Sequence, residues 1–186
     1  MCEGIPSTSH DWKTYPSLRD RLMRLYLTFN TFPEVPDALV RLKKAGLKTA
    51  ILSNGSPTML DFAVRGAKLS ELLDGVLSVE EVGVYKPHPK VYRLAVERLG
   101  IPALSITFLS LNAWDAYAAS AFGMRVIWCN RYGQRRERLP GAPDREIISL
   151  AEFPALVGAT VRQDQLEPAS FDFGVQLVHT RGVDLD

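Results

Sequence analysis

The segment F-L-S-L-N-A-W-D, residues 108–115, changes from an apolar run to polar side chains within a few positions. Ser110, Asn112 and Asp115 stand at relative positions 0, 2 and 5. The apolar run predicts a short buried strand, and the residues after it have the spacing of a helix that ends at Gly123. A strand that runs directly into a helix is half of a β–α–β crossover, so this segment predicts a parallel α/β sheet.

The same alternation of strand and helix extends along most of the chain. Predicted strands cover residues 47–52, 75–79, 106–109, 125–129 and 147–150, and predicted helices cover 36–45, 58–64, 89–99, 113–122 and 151–157. This order predicts an α/β, Rossmann-like fold in which helices cover both faces of a parallel sheet.

Three other stretches differ from this pattern. Apolar residues at helical spacing predict a further helix upstream, over residues 18–29. The polar, basic stretch 134–145 is predicted to be a loop. Residues 159–186 lack periodicity and are predicted to be a loosely attached, poorly ordered tail, although F-D-F-G-V-Q-L-V within them has the composition of a strand.

Composition limits the kinds of function. The chain has 186 residues, of which 46% are hydrophobic, which suits one globular domain with a sizeable core. A net charge of +1 gives no electrostatic argument for nucleic acid or a membrane surface as partner. No long apolar segment or signal peptide is visible, so the expected location is the cytoplasm. Cys2 and Cys129 form neither a disulfide framework nor a metal-binding spacing.

Polar clusters follow three of the predicted strands. They are S-N-G-S-P at 53–57, Y-K-P-H-P-K-V-Y at 85–92 and S-L-N-A-W-D at 110–115. Ligands of open parallel sheets bind at the carboxyl ends of the strands, so the three clusters should converge on one crevice. Ser53 and Asn54 precede a helix and form a candidate anion site.

Two of the charged side chains in these clusters suit chemistry, although each has a simpler explanation. Lys86 would keep a partner carboxylate ionised, and Asp115 would either hold Lys86 or orient a water. Alternatively, Ser53 and Asn54 belong to a capping turn, Lys86 lies on the surface, and Asp115 interacts favourably with a helix dipole. The occurrence of all three clusters at strand ends favours a site.

Together these motifs resemble those of the haloacid dehalogenase superfamily, most closely the L-2-haloacid dehalogenases. A-I-L-S-N-G-S-P-T-M-L at 50–60 is similar to the second motif, and Y-K-P-H-P-K-V-Y to the third. F-L-S-L-N-A-W-D is similar to the fourth. The resemblance extends from about residue 15 to about residue 157. It implies that residues 1–32 are the end of a helical cap, 33–158 the α/β core and 159–186 a tail.

The resemblance implies a hydrolase that acts on short 2-halo carboxylic acids. A carboxylate displaces the halide by an SN2 step, and water then hydrolyses the ester, with net inversion at the carbon. The implied catalytic residues are Lys86, Asp115, Asn112 and Ser110, and the implied substrate-binding residues are Ser53, Asn54, Tyr92 and Trp114. Lys86 keeps the nucleophile charged, while Asn112 and Asp115 place the hydrolytic water. A homodimer is also expected.

The fourth motif predicts chemistry without a metal or other cofactor. Phosphatases of the superfamily carry an acidic pair there that helps to bind magnesium, whereas this chain has Ser110 and Asn112. A hard dication prefers several anionic oxygens, and Asp115 alone is a poor cage. A phosphatase therefore remains the less favoured alternative.

The first motif of the family, an apolar strand that ends in the nucleophilic Asp, has no counterpart before Ser53. Asp11 lacks an apolar strand before it, and A-S-F-D-F-G-V around Asp172 is only a faint echo of that motif. The expectation is therefore a truncated or inactive chain whose sheet lacks its central strand, leaving unpaired N–H and C=O groups on the neighbouring strands. A non-catalytic remnant that serves as an interaction module is the second alternative.

Overall fold

The described part of the protein comprises residues 31–158 and the backbone of residues 175–178, taken from a computed structural model. Its α-helices are α1 Val35–Lys44, α2 Pro57–Gly66, α3 Pro89–Leu99, α4 Ala113–Phe122 and α5 Phe153–Leu156. Its strands are β1 Lys48–Ser53, β2 Gly75–Ser78, β3 Ile106–Ser110, β4 Arg125–Cys129, β5 Arg145–Ile147 and β6 Val175–Val178.

The strands form one sheet in the order β2-β1-β6-β3-β4-β5, and every neighbouring pair is parallel. The predicted α/β fold with a parallel sheet is therefore confirmed. From Thr49 to Ser53 every residue of β1 is buried, as expected for a parallel strand that is covered on both faces.

Helices cover both faces of the sheet, and the alternation of side chains along the strands divides the core in two. Ala50 and Leu52 of β1 point into a cluster that α3 and α4 complete. Ile51, between them, points into a second cluster, to which α1, α2 and α5 contribute. The period of two along a strand thus assigns each apolar residue to one of the two layers.

The last strand of the main run starts earlier than predicted. The sequence suggested residues 147–150, but β5 spans Arg145–Ile147. Pairing with β4 is prepared by Asp144, whose carboxylate accepts a hydrogen bond from the Val126 amide and whose own amide donates to the Val126 carbonyl. β5 is an edge strand with exposed polar residues, so a search for an apolar run places it too late.

The centre of the sheet corrects the prediction for the tail. Residues Val175–Val178 form β6, which pairs with Lys48–Ala50 of β1 on one side and with Ile106–Leu109 of β3 on the other. The expected gap between β1 and β3 is thus filled by a segment from near the end of the chain. No described residues of β1 and β3 pair directly, so β6 joins the two parts of the sheet.

Several predictions made from the sequence lie outside the described residues. They concern the helix over residues 18–29, the cap assigned to residues 1–32 except for its last two positions, Asp11, and the tail apart from β6, including Asp172. Among the described residues, no helix is long and apolar enough to cross a membrane.

Removing β6 should destabilise the fold far more than removing the residues after it. A chain that ends at Gly158 leaves buried N–H and C=O groups of β1 and β3 without partners. Each such group costs roughly 1–3 kcal/mol, against a typical total stability of roughly 5–15 kcal/mol. Urea denaturation followed by circular dichroism should show cooperative unfolding for residues 1–178 and its loss for residues 1–158. Equal stability of the two truncated chains would show that β6 is dispensable.

Candidate active site

A buried ion pair lies at the centre of the site. The ammonium Nζ of Lys86 donates to Oδ2 of Asp115 at 3.0 Å, and both side chains have 0% exposure. The hydroxyl of Tyr92 donates to Oδ1 of Asp115 at 2.7 Å, and the hydroxyl of Ser110 donates to Oδ2 at 3.1 Å. Both oxygens of this carboxylate are therefore occupied by donors from the protein.

The end of β3 and the helices after β2 and β3 place these side chains. Ser110 is the last residue of β3, and Asp115 lies in the first turn of α4, so the short β3–α4 connection brings them together. The geometry of this connection is fixed by the backbone N–H of Asn112, which donates to the Ser110 hydroxyl at 3.1 Å. Tyr92 is a buried residue of α3, the helix that follows the Lys86 loop.

The polar groups after β1 are bound to the same network. The side-chain Oδ1 of Asn54 accepts a hydrogen bond from the backbone N–H of Lys86 at 3.0 Å. Ser53 is 5% exposed, and its hydroxyl accepts from the Gly55 amide at 3.0 Å. Ser78, at the end of β2, donates to the Gly55 carbonyl at 2.8 Å. The loops after β1, β2 and β3 therefore meet at the carboxyl edge of the sheet, as the three sequence clusters predicted.

The start of α2 supplies the expected helix terminus beside Ser53 and Asn54. The hydroxyl of Ser56 caps α2 by accepting from the Met59 amide, and Pro57 occupies the first turn, where a missing N–H costs nothing. Amides at such a terminus carry partial positive charge and favour an anion.

Burial dominates the titration of the site. Desolvation lowers the pKa of Lys86, and the charge and hydrogen bond of Asp115 offset part of that effect. The pKa of the Tyr92 hydroxyl is raised, first by burial and then by the adjacent Asp115 carboxylate, so this group acts only as a donor. The Lys86 ammonium also lies 5.0 Å from the centroid of the Phe108 ring, whose π-face favours a cation.

The side chains of Asn112 and Trp114 lie outside the hydrogen bonds that surround Asp115. Asn112 is the residue before α4, but its side chain makes no capping hydrogen bond. Trp114 is half-buried in the first turn of that helix. Among the described residues, neither side chain makes a hydrogen bond to Asp115.

The metal-free expectation remains a prediction. Within residues 31–158 no group of three or more His, Cys, Asp or Glu side chains is placed to hold a metal ion. Asp115 is the carboxylate at the centre of the site, and it is bound by Lys86, Tyr92 and Ser110.

The sequence analysis missed two contacts: a hydrogen bond to the β3–α4 loop, and an ion pair close to the end of β4. The indole of the buried Trp128 donates to the Leu111 carbonyl at 3.2 Å. Arg131 pairs with Glu34, which also accepts a hydrogen bond from the Ser149 hydroxyl. Within this second contact, only the turn at Ser149 had a sequence signal, since S-L-A-E at 149–152 forms a capping box.

Comparison with known proteins identifies the family of this chain. The sequence model of the haloacid dehalogenase-like hydrolases matches residues 8–123. The chain is 48% identical over 132 residues to the (S)-2-haloacid dehalogenase of Pseudomonas sp. strain YL, an alignment that covers 71% of this chain. The chain belongs to the haloacid dehalogenase-like hydrolases. It spans only 57% of the length of that relative, and 62% of a second one, (S)-2-haloacid dehalogenase 4A of Burkholderia cepacia.

Solved structures of the haloacid dehalogenase fold superimpose well. The L-2-haloacid dehalogenase of Xanthobacter autotrophicus, solved with chloropropionic acid covalently bound, gives a TM-score of 0.73 at 32% identity. That alignment covers 77% of this chain and 67% of the other. A haloacid dehalogenase-type phosphatase from Thermococcus onnurineus gives a TM-score of 0.65 at 28% identity and covers 81% of this chain and 72% of the other.

Removing one charge of the buried ion pair should lower the free energy of unfolding more than removing both charges. Lys86→Met leaves the Asp115 charge buried without a counter-ion, which should lower the free energy of unfolding by about 3–5 kcal/mol. The double variant Lys86→Met/Asp115→Asn should recover more than half of that loss. Urea denaturation at pH 7 measures both.

The matched control is the exposed pair Arg65–Asp61. Arg65→Ala should change the free energy of unfolding by no more than about 1 kcal/mol, because exposed pairs contribute little. A Lys86→Met protein as stable as Arg65→Ala would show that the buried pair does not stabilise the fold as described.

Proposed function

We propose that this chain is the core of an (S)-2-haloacid dehalogenase, a hydrolase that converts short 2-halo carboxylic acids to 2-hydroxy acids. The observation that carries the proposal is the buried Lys86–Asp115–Ser110–Tyr92 cluster at the carboxyl edge of the sheet. The family membership supports it, as does the similarity to proteins named as dehalogenases of this type.

In this proposal Asp115 holds Lys86 and is not itself the nucleophile. A nucleophilic carboxylate needs a free oxygen in line with the carbon–halogen bond, whereas both oxygens of Asp115 accept hydrogen bonds and the side chain is fully buried. Of the two tasks that the sequence left open for Asp115, the geometry therefore favours orientation of Lys86. The Lys86 charge then keeps an attacking carboxylate ionised.

The substrate carboxylate is assigned to the start of α2. Ser53, Asn54 and the first amides of this helix offer donors to an anion beside Lys86. Trp114 and Tyr92 shape the apolar part of the pocket. The side-chain amide of Asn112 helps to place the hydrolytic water.

The reaction has two balanced steps. An aspartate carboxylate forms a C–O bond to the 2-carbon of the acid while the carbon–halogen bond breaks and halide leaves with the electron pair. Water then adds to the carbonyl carbon of the aspartyl ester and the ester bond breaks. The products are the 2-hydroxy acid, the free aspartate carboxylate and one proton, which passes to solvent. Because only the first step occurs at the 2-carbon, its configuration inverts. We infer that the attacking aspartate lies outside the α/β core, residues 33–158.

Two alternatives make different demands on the site. A phosphatase is favoured by the similarity to the Thermococcus onnurineus protein, but it would require a magnesium cage at a centre whose carboxylate is bound by Lys86. A non-catalytic interaction module would require no ligand at the site. Both are separated from the dehalogenase by the assay below.

The 186-residue chain alone is expected to release no measurable halide from (S)-2-chloropropionate. Residues 1–158 joined at their amino end to a strand that carries the Asp of the family's first motif, which would take the central place that β6 occupies here, should release halide. Loss of a covalent nucleophile typically lowers kcat by roughly four to six orders of magnitude. Ion chromatography of released chloride measures the difference.

The matched control is the joined chain with its first-motif aspartate changed to asparagine, which should be inactive. Halide release by the 186-residue chain would locate the nucleophile within it, and Asp11, Asp115 and Asp172 would be replaced in turn. Hydrolysis of p-nitrophenyl phosphate that depends on magnesium would instead favour the phosphatase. Inactivity of every form with both substrates would leave the interaction module.

A further inference from the structure

Arg131, just after β4, contacts the segment that precedes α1. Its guanidinium carbon lies 4.1 Å from the centroid of the Phe32 ring, and its Nη2 pairs with the carboxylate of Glu34. The same carboxylate accepts a hydrogen bond from the Ser149 hydroxyl at 3.2 Å. Arg131 thus holds the segment just before α1 against the end of β4, and the Glu34 carboxylate links both to the turn before α5.

The contact is substantially protected from solvent. The side chains of Arg131 and Glu34 are 23% and 17% exposed, so their attraction is screened less than that of a surface pair. The Nε of Arg131 is buried and has no hydrogen-bond partner among the described residues. Stacking on Phe32 and pairing with Glu34 therefore fix the guanidinium, even though one of its donors is left unpaired.

The contact is also connected to the candidate site. Phe32 and Leu111 pack against the same apolar cluster on one face of the sheet. The Leu111 carbonyl, between Ser110 and Asn112, accepts the hydrogen bond of Trp128, three residues before Arg131 in the sequence. Phe32 and the loop that carries Ser110 and Asn112 thus pack against the same apolar layer of the core.

We propose that Arg131 is a positioning residue that fastens the connector Phe32–Glu34 to the carboxyl edge of the sheet. It thereby fixes the chain just before α1 against the end of β4. The link between Arg131 and catalysis rests on the proposed dehalogenase function, whereas the fastening itself does not.

Lysine cannot replace arginine fully in this role. A guanidinium is planar, so it can lie flat on an aromatic ring while an edge of the same group pairs with a carboxylate. An ammonium can pair with Glu34 but offers no planar face to Phe32. Arg131→Lys should therefore retain only part of the fastening.

Hydrogen exchange of the Val35 amide in the 186-residue chain tests the fastening directly. This amide donates to the Phe32 carbonyl and lies between Pro33 and Pro36, which have no amide proton, so it reports locally on the connector. Arg131→Ala should speed its exchange about tenfold, and Arg131→Lys by less, in keeping with the strength of a partly buried stacked cation. The core amides of Ile51 and Phe108 should be unaffected.

The matched control is Arg135→Ala, since Arg135 is exposed in the same loop. It should leave the Val35 exchange rate within about twofold of wild type. The exchanged pair Glu34→Arg/Arg131→Glu should recover part of the protection that either single change removes, which a general loss of packing would not allow. Unchanged Val35 exchange in Arg131→Ala, or equal acceleration of Val35, Ile51 and Phe108, would overturn the proposal.

The catalytic consequence is measured on the joined chain used for halide release. Arg131→Ala should raise KM for (S)-2-chloropropionate severalfold with a smaller change in kcat, because the connector positions the site without touching the reacting atoms. An unchanged KM together with faster Val35 exchange would overturn the link to catalysis. If the joined chain itself released no halide, the proposed function would fail, and the exchange experiment would still decide whether Arg131 fastens the connector.

Discussion

The pairing of Lys86 with Asp115 is the constraint on which the carboxyl edge of the sheet depends. Two full charges without solvent contact are tolerated only if they lie against one another and the remaining lone pairs are satisfied. Tyr92 and Ser110 meet that second condition, and they come from α3 and β3. The pair therefore requires two β–α units to meet at a single point. Displacement of either helix would leave a charge without a counter-ion in the apolar core.

The backbone around this pair is as tightly specified as the side chains. The Lys86 amide is bound by the Asn54 side chain, and Gly55 is bound by the hydroxyls of Ser53 and Ser78. Such connections make the loops after β1, β2 and β3 one rigid surface, which is the kind of preorganisation that oriented catalytic groups require. The charged centre and its supporting loops thus belong to one cooperative unit.

Sequence reasoning succeeded where the signal is local. Ser53 ends β1, and Lys86 and Asp115 lie in the segments that follow β2 and β3, so periodicity and the parallel-sheet rule place them at one edge. It failed for contacts between distant segments. β6 was read as part of a loose tail because four residues carry little periodicity and their pairing partners lie far away in sequence. The contact of Arg131 with Glu34 spans 97 positions, and nothing in the composition around either residue predicts it.

The position of β6 has a consequence for the order in which the chain can fold. Val175 pairs with Lys48 and Ile106, which are synthesised much earlier, and the central strand of the sheet is therefore the last to leave the ribosome. Until β6 is made, β1 and β3 have no other described strand between them. Contacts between residues so far apart in sequence require the closure of a long loop, which costs entropy before the contacts stabilise the fold, so folding is slow. Nascent chains of this protein would thus expose unpaired strand edges, the surface that molecular chaperones typically protect.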